Sequence, residues 1–103
     1  MAAILIVDDE PNIRRLLASL LDAEGHTTRT AASGEDALVS IADSEPDVML
    51  LDLALPGANG LQILATLHTT HPSLPVVMMS GRATLNDAVR ATKIGAFHFI
   101  EKP

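Results

Sequence analysis

Four short apolar runs and one threonine-rich run alternate with four stretches of helical periodicity, and this alternation leaves few folds open. Ala3-Ile4-Leu5-Ile6-Val7 is a continuous, β-branched-rich run, the pattern of a strand covered on both faces. It stops at Asp8-Asp9-Glu10, and Pro11 follows, a residue suited to the first helical turn. Ile13, Leu16, Leu17, Leu20 and Leu21 then recur on one helical face, and Gly25 can close that helix. Thr27 to Ala31 reads as a second strand. Ser33 with Asp36 three residues on resembles a capping box, opening a short helix through Ala37, Leu38, Ile41 and Ala42. Asp47 to Leu51 is the third strand and ends at Asp52, and Leu53 to Asn59, with Pro56 and Gly57, reads as loop. Leu61, Leu64, Leu67 and His68 mark the next helix, closed by Pro72. A fourth strand over Pro75 to Met79 ends at Ser80-Gly81. Leu85, Ala88, Val89 and Thr92 mark a fourth helix stopped by Gly95, and Phe97 to Ile100 is a fifth strand before Glu101-Lys102-Pro103. Strands alternating with helices in this way predict a parallel sheet with helices on both faces.

A chain of 103 residues, 48 % hydrophobic, is one domain able to bury a modest core. The last recognised element is a strand, which a further helix would be expected to cover. Its absence suggests a domain truncated after the fifth strand, or one whose open face a partner covers. Apolar surface on the first helix would then be exposed, favouring association or low stability. No apolar run approaches the roughly 18 residues of a membrane span, and the N-terminus lacks the organisation of a signal peptide, so a cytoplasmic location is expected. With no cysteine, thiolate zinc sites, disulfides and cysteine nucleophiles are excluded. A net charge of −6 argues against direct contact with nucleic acid or an anionic membrane.

In open parallel sheets ligands bind beyond the carboxyl ends of the strands. The residues at those ends are Asp8, Asp9 and Glu10, then Asp52, Ser80 and Lys102. If the first and third strands are neighbours, carboxylates converge there, and their mutual repulsion is relieved by a hard divalent cation such as Mg²⁺, given only oxygen ligands. A carboxylate beside such an ion can accept a phosphoryl group, while a lysine ammonium and a serine hydroxyl engage its oxygens.

These residues, with Leu5-Ile6-Val7-Asp8-Asp9-Glu10, Leu50-Leu51-Asp52, Pro56-Gly57, Gly60, Met79-Ser80-Gly81 and Gly95-Ala96-Phe97 to Lys102-Pro103, together resemble the receiver domain of two-component response regulators, over essentially residues 1–103. The C-terminal stretch from Ser80 is most similar to receivers of nitrogen-regulatory-protein-C type activators. The resemblance implies a flavodoxin-like, doubly wound five-stranded parallel sheet of order 2-1-3-4-5. It implies that Asp52 is the phosphoacceptor, and that Mg²⁺ is held by Asp9, Asp52 and the backbone carbonyl of Ala54, with Asp8 helping through water. Ser80 and Lys102 would contact the phosphoryl oxygens, Phe99 would turn inward with Ser80 as the aromatic switch, and the Lys102–Pro103 peptide would be cis. The implied partners are a sensor histidine kinase, downstream ATPase and DNA-binding domains in the parent protein, and a second copy in a homodimer. Such a domain takes part in its own phosphorylation and dephosphorylation without being a turnover enzyme.

Each residue also has an ordinary reading. Asp8, Asp9 and Glu10 alone would be helix N-terminal acids favouring the macrodipole, Asp52 a loop acid, Ser80-Gly81 a turn and Lys102 a solvated lysine. Their joint position at successive strand ends favours the site. His26, His68, His71 and His98 have no metal-ligand spacing and read as surface histidines, His98 pointing away from Phe97 and Phe99. Met49, Met78 and Met79 read as core, and Phe99 as a plain core aromatic stays open beside the switch. Two other functions compete. An aspartate-nucleophile phosphatase needs an acid two residues after the nucleophile, where this chain has Ala54. An unphosphorylated interaction domain would be signalled by loss of Asp52, Asp9 or Lys102, and all three are present.

Overall fold

A computed structural model describes residues 1–55, 59–81 and 85–102. Five strands, β1 (Ala3–Val7), β2 (Thr27–Ala31), β3 (Val48–Asp52), β4 (Val76–Ser80) and β5 (His98–Glu101), alternate with four helices, α1 (Pro11–Ala23), α2 (Gly34–Asp43), α3 (Gly60–Thr70) and α4 (Leu85–Ile94). The strands form one parallel sheet in the order β2-β1-β3-β4-β5. Chain order reverses between β1 and β3, which pair from Ile4↔Val48 to Val7↔Leu51. That pairing brings Asp8 beside Asp52.

Strand alternation divides the core between two faces. Leu5 and Val7 join Met49, Leu51 and Met78, all without exposed surface, in a cluster closed by Ala37 and Ile41 of α2, Ile63, Leu64 and Leu67 of α3, and Ala91 of α4. Ile6 and Met79, buried on strands but outside that cluster, belong to the other layer. There the amphipathic stripe of α1 is only partly covered: Leu16 is 42 % exposed and Leu20 54 %. Periodicity identifies the apolar face of α1, and the exposure of Leu16 and Leu20 agrees with the uncovered apolar surface expected on that helix.

Local signals set most element ends. Pro11 opens α1, and at its other end His26 N donates to Leu21 O (3.1 Å) and Gly25 N to Asp22 O (3.0 Å). This is a Schellman closure in which Gly25, at φ +90°, lies one residue beyond the cap Glu24. Ser33 caps α2 by accepting from Asp36 N at 3.1 Å. The reciprocal capping box is at α3: Asn59 Oδ1 accepts from Gln62 N (3.0 Å), and Asn59 N donates to Gln62 Oε1 (3.1 Å). The expected ends of β3, β4 and β5 shift by a residue. Asp52 is the last residue of β3, Ser80 the last of β4, and Phe97 precedes β5 with 75 % of its surface exposed. Asp47, expected in β3, instead holds the start of β1, its Oδ2 accepting from Ala3 N at 2.8 Å. Pro56, Gly57 and the Lys102–Pro103 peptide expected to be cis lie outside the described residues.

Candidate phosphoacceptor site

The carboxyl edge of the sheet gathers the candidate side chains because every strand of a parallel sheet ends on the same side. β1 delivers Asp8, which is buried; its N donates to Ala31 O (3.1 Å), and its carbonyl accepts from Arg14 Nη1 (2.7 Å). β3 delivers Asp52, 1 % exposed, with Oδ1 accepting from Ala54 N at 3.2 Å. β4 delivers Ser80, also buried. Lys102 follows β5 and is anchored to β4 by its N donating to Ser80 O at 2.9 Å. Asp9 and Glu10 are exposed at the rim. An open pocket of about 310 Å³ is lined by Asp9, Glu10, Asp52, Ala54, Ser80, Gly81 and Lys102.

Lys102 is the electrostatic hub. Its Nζ lies 2.9 Å from Asp8 Oδ2, 3.1 Å from Asp52 Oδ2 and 3.3 Å from Glu10 Oε1. Burial opposes the ammonium charge, but the close contacts and negative charges of Asp8 and Asp52 outweigh it and hold Lys102 above the ordinary lysine value. Burial pushes the Asp52 carboxyl above the usual carboxylate value, and the charge of Asp8 adds to this against hydrogen bonds from Lys102 and Ala54. The ionised form of Asp52 is therefore less favoured in the fold than in the unfolded chain. This penalty is present above the folded pKa and is relieved as pH falls through it. Asp52→Asn is expected to raise the melting temperature of the metal-free chain at pH 7. The advantage should shrink in melts repeated at progressively lower pH, and a gain that grows on acidification would contradict the assignment.

The donor chemistry fits a hard divalent cation. Carboxylate oxygens of Asp8, Asp9 and Glu10 lie within 4.8 Å of one another, with neither cysteine nor histidine in the group. Asp8 Oδ2 is buried and has no hydrogen bond of ordinary geometry, only its ion pair with Lys102, so it can take a further positive partner. Asp52 is outside this close group, its Oδ2 being held by Lys102.

The edge thus brings together Asp8, Asp52, Ser80, Lys102 and the backbone of Ala54, with Asp9 at the rim. Phe99 lies on β5 opposite Met78, half-buried against the core cluster. His98 is exposed as expected; His26 is more than a surface residue, because its Nδ1 accepts from Ala2 N at 3.1 Å. The link of Glu10 to Lys102 was not visible in the sequence, since it joins residues 92 apart. No spacing rule reaches that far.

A sheet of this order with an acid and lysine cluster at its carboxyl edge defines a receiver-type domain, and a family model confirms it: the response regulator receiver domain matches residues 4–103. The chain belongs to that family, with relatives of the NtrX and NtrC type. It is 47 % identical over 102 residues to nitrogen assimilation regulatory protein NtrX of Azorhizobium caulinodans, covering 97 % of this chain and 22 % of that protein. It is 39 % identical over 98 residues to the DNA-binding transcriptional regulator NtrC of Escherichia coli (strain K12), covering 95 % and 21 %. The crystal structure of the receiver domain of NtrX from Brucella abortus superposes with a TM-score of 0.92 at 48 % identity, covering 97 % of this chain and 85 % of that one. The chain therefore spans about a fifth of the length of these two curated relatives. Among the described residues no helix is long and apolar enough to cross a membrane.

Proposed function

We propose that this domain is a phosphorylation-controlled switch that accepts a phosphoryl group on Asp52 from the phosphohistidine of a sensor kinase. The single observation that carries the reading is the meeting of Asp8, Asp52 and the Lys102 ammonium at the carboxyl edge of three strands. In the reaction an Asp52 oxygen forms a bond to phosphorus while the phosphorus–nitrogen bond breaks, and the imidazole nitrogen leaves with the electron pair. Lys102 and Ser80 donate to the phosphoryl oxygens as charge builds on them. Asp9, Asp52 and the carbonyl of Ala54 would hold Mg²⁺, with Asp8 acting through water; the ion supplies charge neutralisation at the phosphoryl oxygens. Ala54 offers no side-chain acid, which disfavours a phosphatase that turns over a substrate.

Engaging the phosphoryl group draws Ser80, and Phe99, on the strand paired with that of Ser80, follows inward from its half-buried position. The size of the shift is limited by the difference in phosphoryl affinity between the two arrangements. The names of the relatives, a nitrogen assimilation regulatory protein and a DNA-binding transcriptional regulator, support an output in transcription through a downstream DNA-binding domain. The proposal further includes a downstream ATPase domain, a homodimer as one readout and the cytoplasm as the location.

The test is intact mass after incubation with Mg²⁺ and acetyl phosphate. One phosphoryl group is expected on the parent chain, with none on Asp52→Asn and none when Mg²⁺ is removed by chelation. An unmodified parent that still binds Mg²⁺ would overturn the proposal in favour of an unphosphorylated interaction domain.

A further inference from the structure

An ammonium has three N–H donors and no acceptor. At Lys102 three carboxylates surround that one nitrogen, at 2.9, 3.1 and 3.3 Å. Glu10 and Asp52 accept hydrogen bonds from two of those donors and Asp8 crowds the amine as an ion pair, so an arriving phosphoryl oxygen competes with all three for the ammonium. Asp8 is wholly buried, and its Oδ2 has no hydrogen bond to fall back on, so separating it from the amine strands a buried charge. Asp52 is the group being phosphorylated. Glu10 is the remaining partner: its contact is the longest of the three and its side chain is 60 % exposed, so water takes over when it departs. Its backbone is held in place, because Glu10 N donates to Asp8 Oδ1 at 2.9 Å and Pro11 fixes the start of α1. Its side chain makes no capping bond at the helix N-terminus that it heads. The carboxylate can therefore swing while the residue stays where it is.

We propose that Glu10 is a positioning residue, the exchangeable third partner of the Lys102 ammonium, which yields its place to a phosphoryl oxygen and thereby limits the rate of phosphoryl acceptance. The proposal rests on Asp52 being the phosphoacceptor. As the Asp52 oxygen bonds to phosphorus, the bond from phosphorus to the donor's leaving group breaks. That group takes the electron pair, leaving as acetate when the donor is acetyl phosphate. In the same event a phosphoryl oxygen replaces Glu10 Oε1 at Lys102 Nζ. Until then Glu10 competes for the amine.

The test compares initial rates of phosphorylation by acetyl phosphate, with Mg²⁺ at saturation, in the parent chain, Glu10→Gln and Glu10→Asp. Gln keeps the length but removes the charge. Asp keeps the charge but is one methylene too short for the contact. Both variants are expected to react roughly two- to fivefold faster, the scale set by losing one partly exposed ion pair. Acceleration in Gln alone would assign the effect to general charge repulsion and overturn the exchange. Unchanged or slower rates in both variants would overturn it as well. So would a loss of more than roughly tenfold in Mg²⁺ affinity in Glu10→Gln, which would make Glu10 a metal ligand, the difference being about 1.4 kcal/mol. A merely structural role would lower rate and melting temperature together, so melts of all three proteins accompany the rates. A parent chain that takes no phosphoryl group brings down the phosphoacceptor reading itself, whereas a phosphorylated parent with unaffected variants removes only the role of Glu10.

Discussion

Lys102→Met is expected to lower the stability of the chain by about 3–5 kcal/mol at neutral pH, because it leaves a buried carboxylate pair without its cation. Asp8 and Asp52 have 0 % and 1 % of their surface exposed, so neither can recover hydration without moving the carboxyl edge of the sheet. For a domain of this size a loss of 3 kcal/mol lowers the melting temperature by roughly 12–24 °C. The sign of the pH dependence follows from the same charges. In the parent, Lys102 holds its proton above the ordinary lysine value, so its contribution is complete below that value and is lost as alkaline pH passes through the raised one. Without Lys102, Asp52 loses the hydrogen bond and the charge that now oppose its upward shift, and its carboxyl moves higher still. The variant therefore recovers stability on acidification, as a proton replaces the missing ammonium. It should also gain more from Mg²⁺ than the parent does, since the ion supplies the positive charge that is gone. Thermal melts over a pH series, with and without Mg²⁺, check both points. A variant as stable as the parent at pH 7 would show that Lys102 is not the cation that balances this edge.

Gly60→Ala is the second large effect, and its cause is steric. A Cβ at residue 60 would overlap the backbone oxygen of Asp52 and come within 2.7 Å of Leu53 Cα and 2.9 Å of Leu53 O. All three atoms are backbone, so no rotamer change relieves the overlap. Gly60 N also donates to Leu53 O at 2.9 Å, tying the first turn of α3 to the end of β3. The substitution is expected to cost about 2–3 kcal/mol. It should also displace the segment carrying Asp52 and the Ala54 carbonyl, weakening Mg²⁺ binding. Melting and Mg²⁺ titration of the purified variant measure the two effects. Leu61→Ala, which leaves the β3–α3 junction intact, is the control that separates a junction effect from a general weakening of the helix. Destabilisation confined to α3 with full metal affinity would contradict the coupling.

Most elements were legible because their signals are local. A β-branched run, a stripe at helical spacing, Pro11 at a helix start and Gly25 beyond a helix end all act within a few residues, and β1, β2 and their flanking turns lie where those signals place them. Asn59 with Gln62 carries an equally local signal, the N-x-x-Q form of a capping box, which the loop reading of Leu53 to Asn59 passed over. Phe97 was misplaced because an edge strand has neighbours on one side only, and alternation alone does not say where pairing begins. It falls just before β5, although its N donates to Val76 O at 2.8 Å.

For the site, the sequence by itself determined the residue types and the level at which they stand. Once the strands are parallel, Asp8, Asp52, Ser80 and Lys102 must share one edge, because each ends or follows a strand. It determined too that a cation at that edge would meet oxygen ligands. Tertiary structure alone decided the rest. The order β2-β1-β3-β4-β5 was implied by family resemblance and not by the alternation, which many strand orders satisfy equally. Only the pairing of β1 with β3 brings Asp8 against Asp52, and only the closing of β5 onto β4 carries Lys102 to both. The neighbours Asp8, Asp9 and Glu10 are chemically alike in the sequence. The fold buries the first, leaves the second at the rim, and turns the third toward an amine 92 residues away. Those distinctions arise from contacts between segments remote along the chain, whose energies depend on burial and distance and leave no mark in the local pattern.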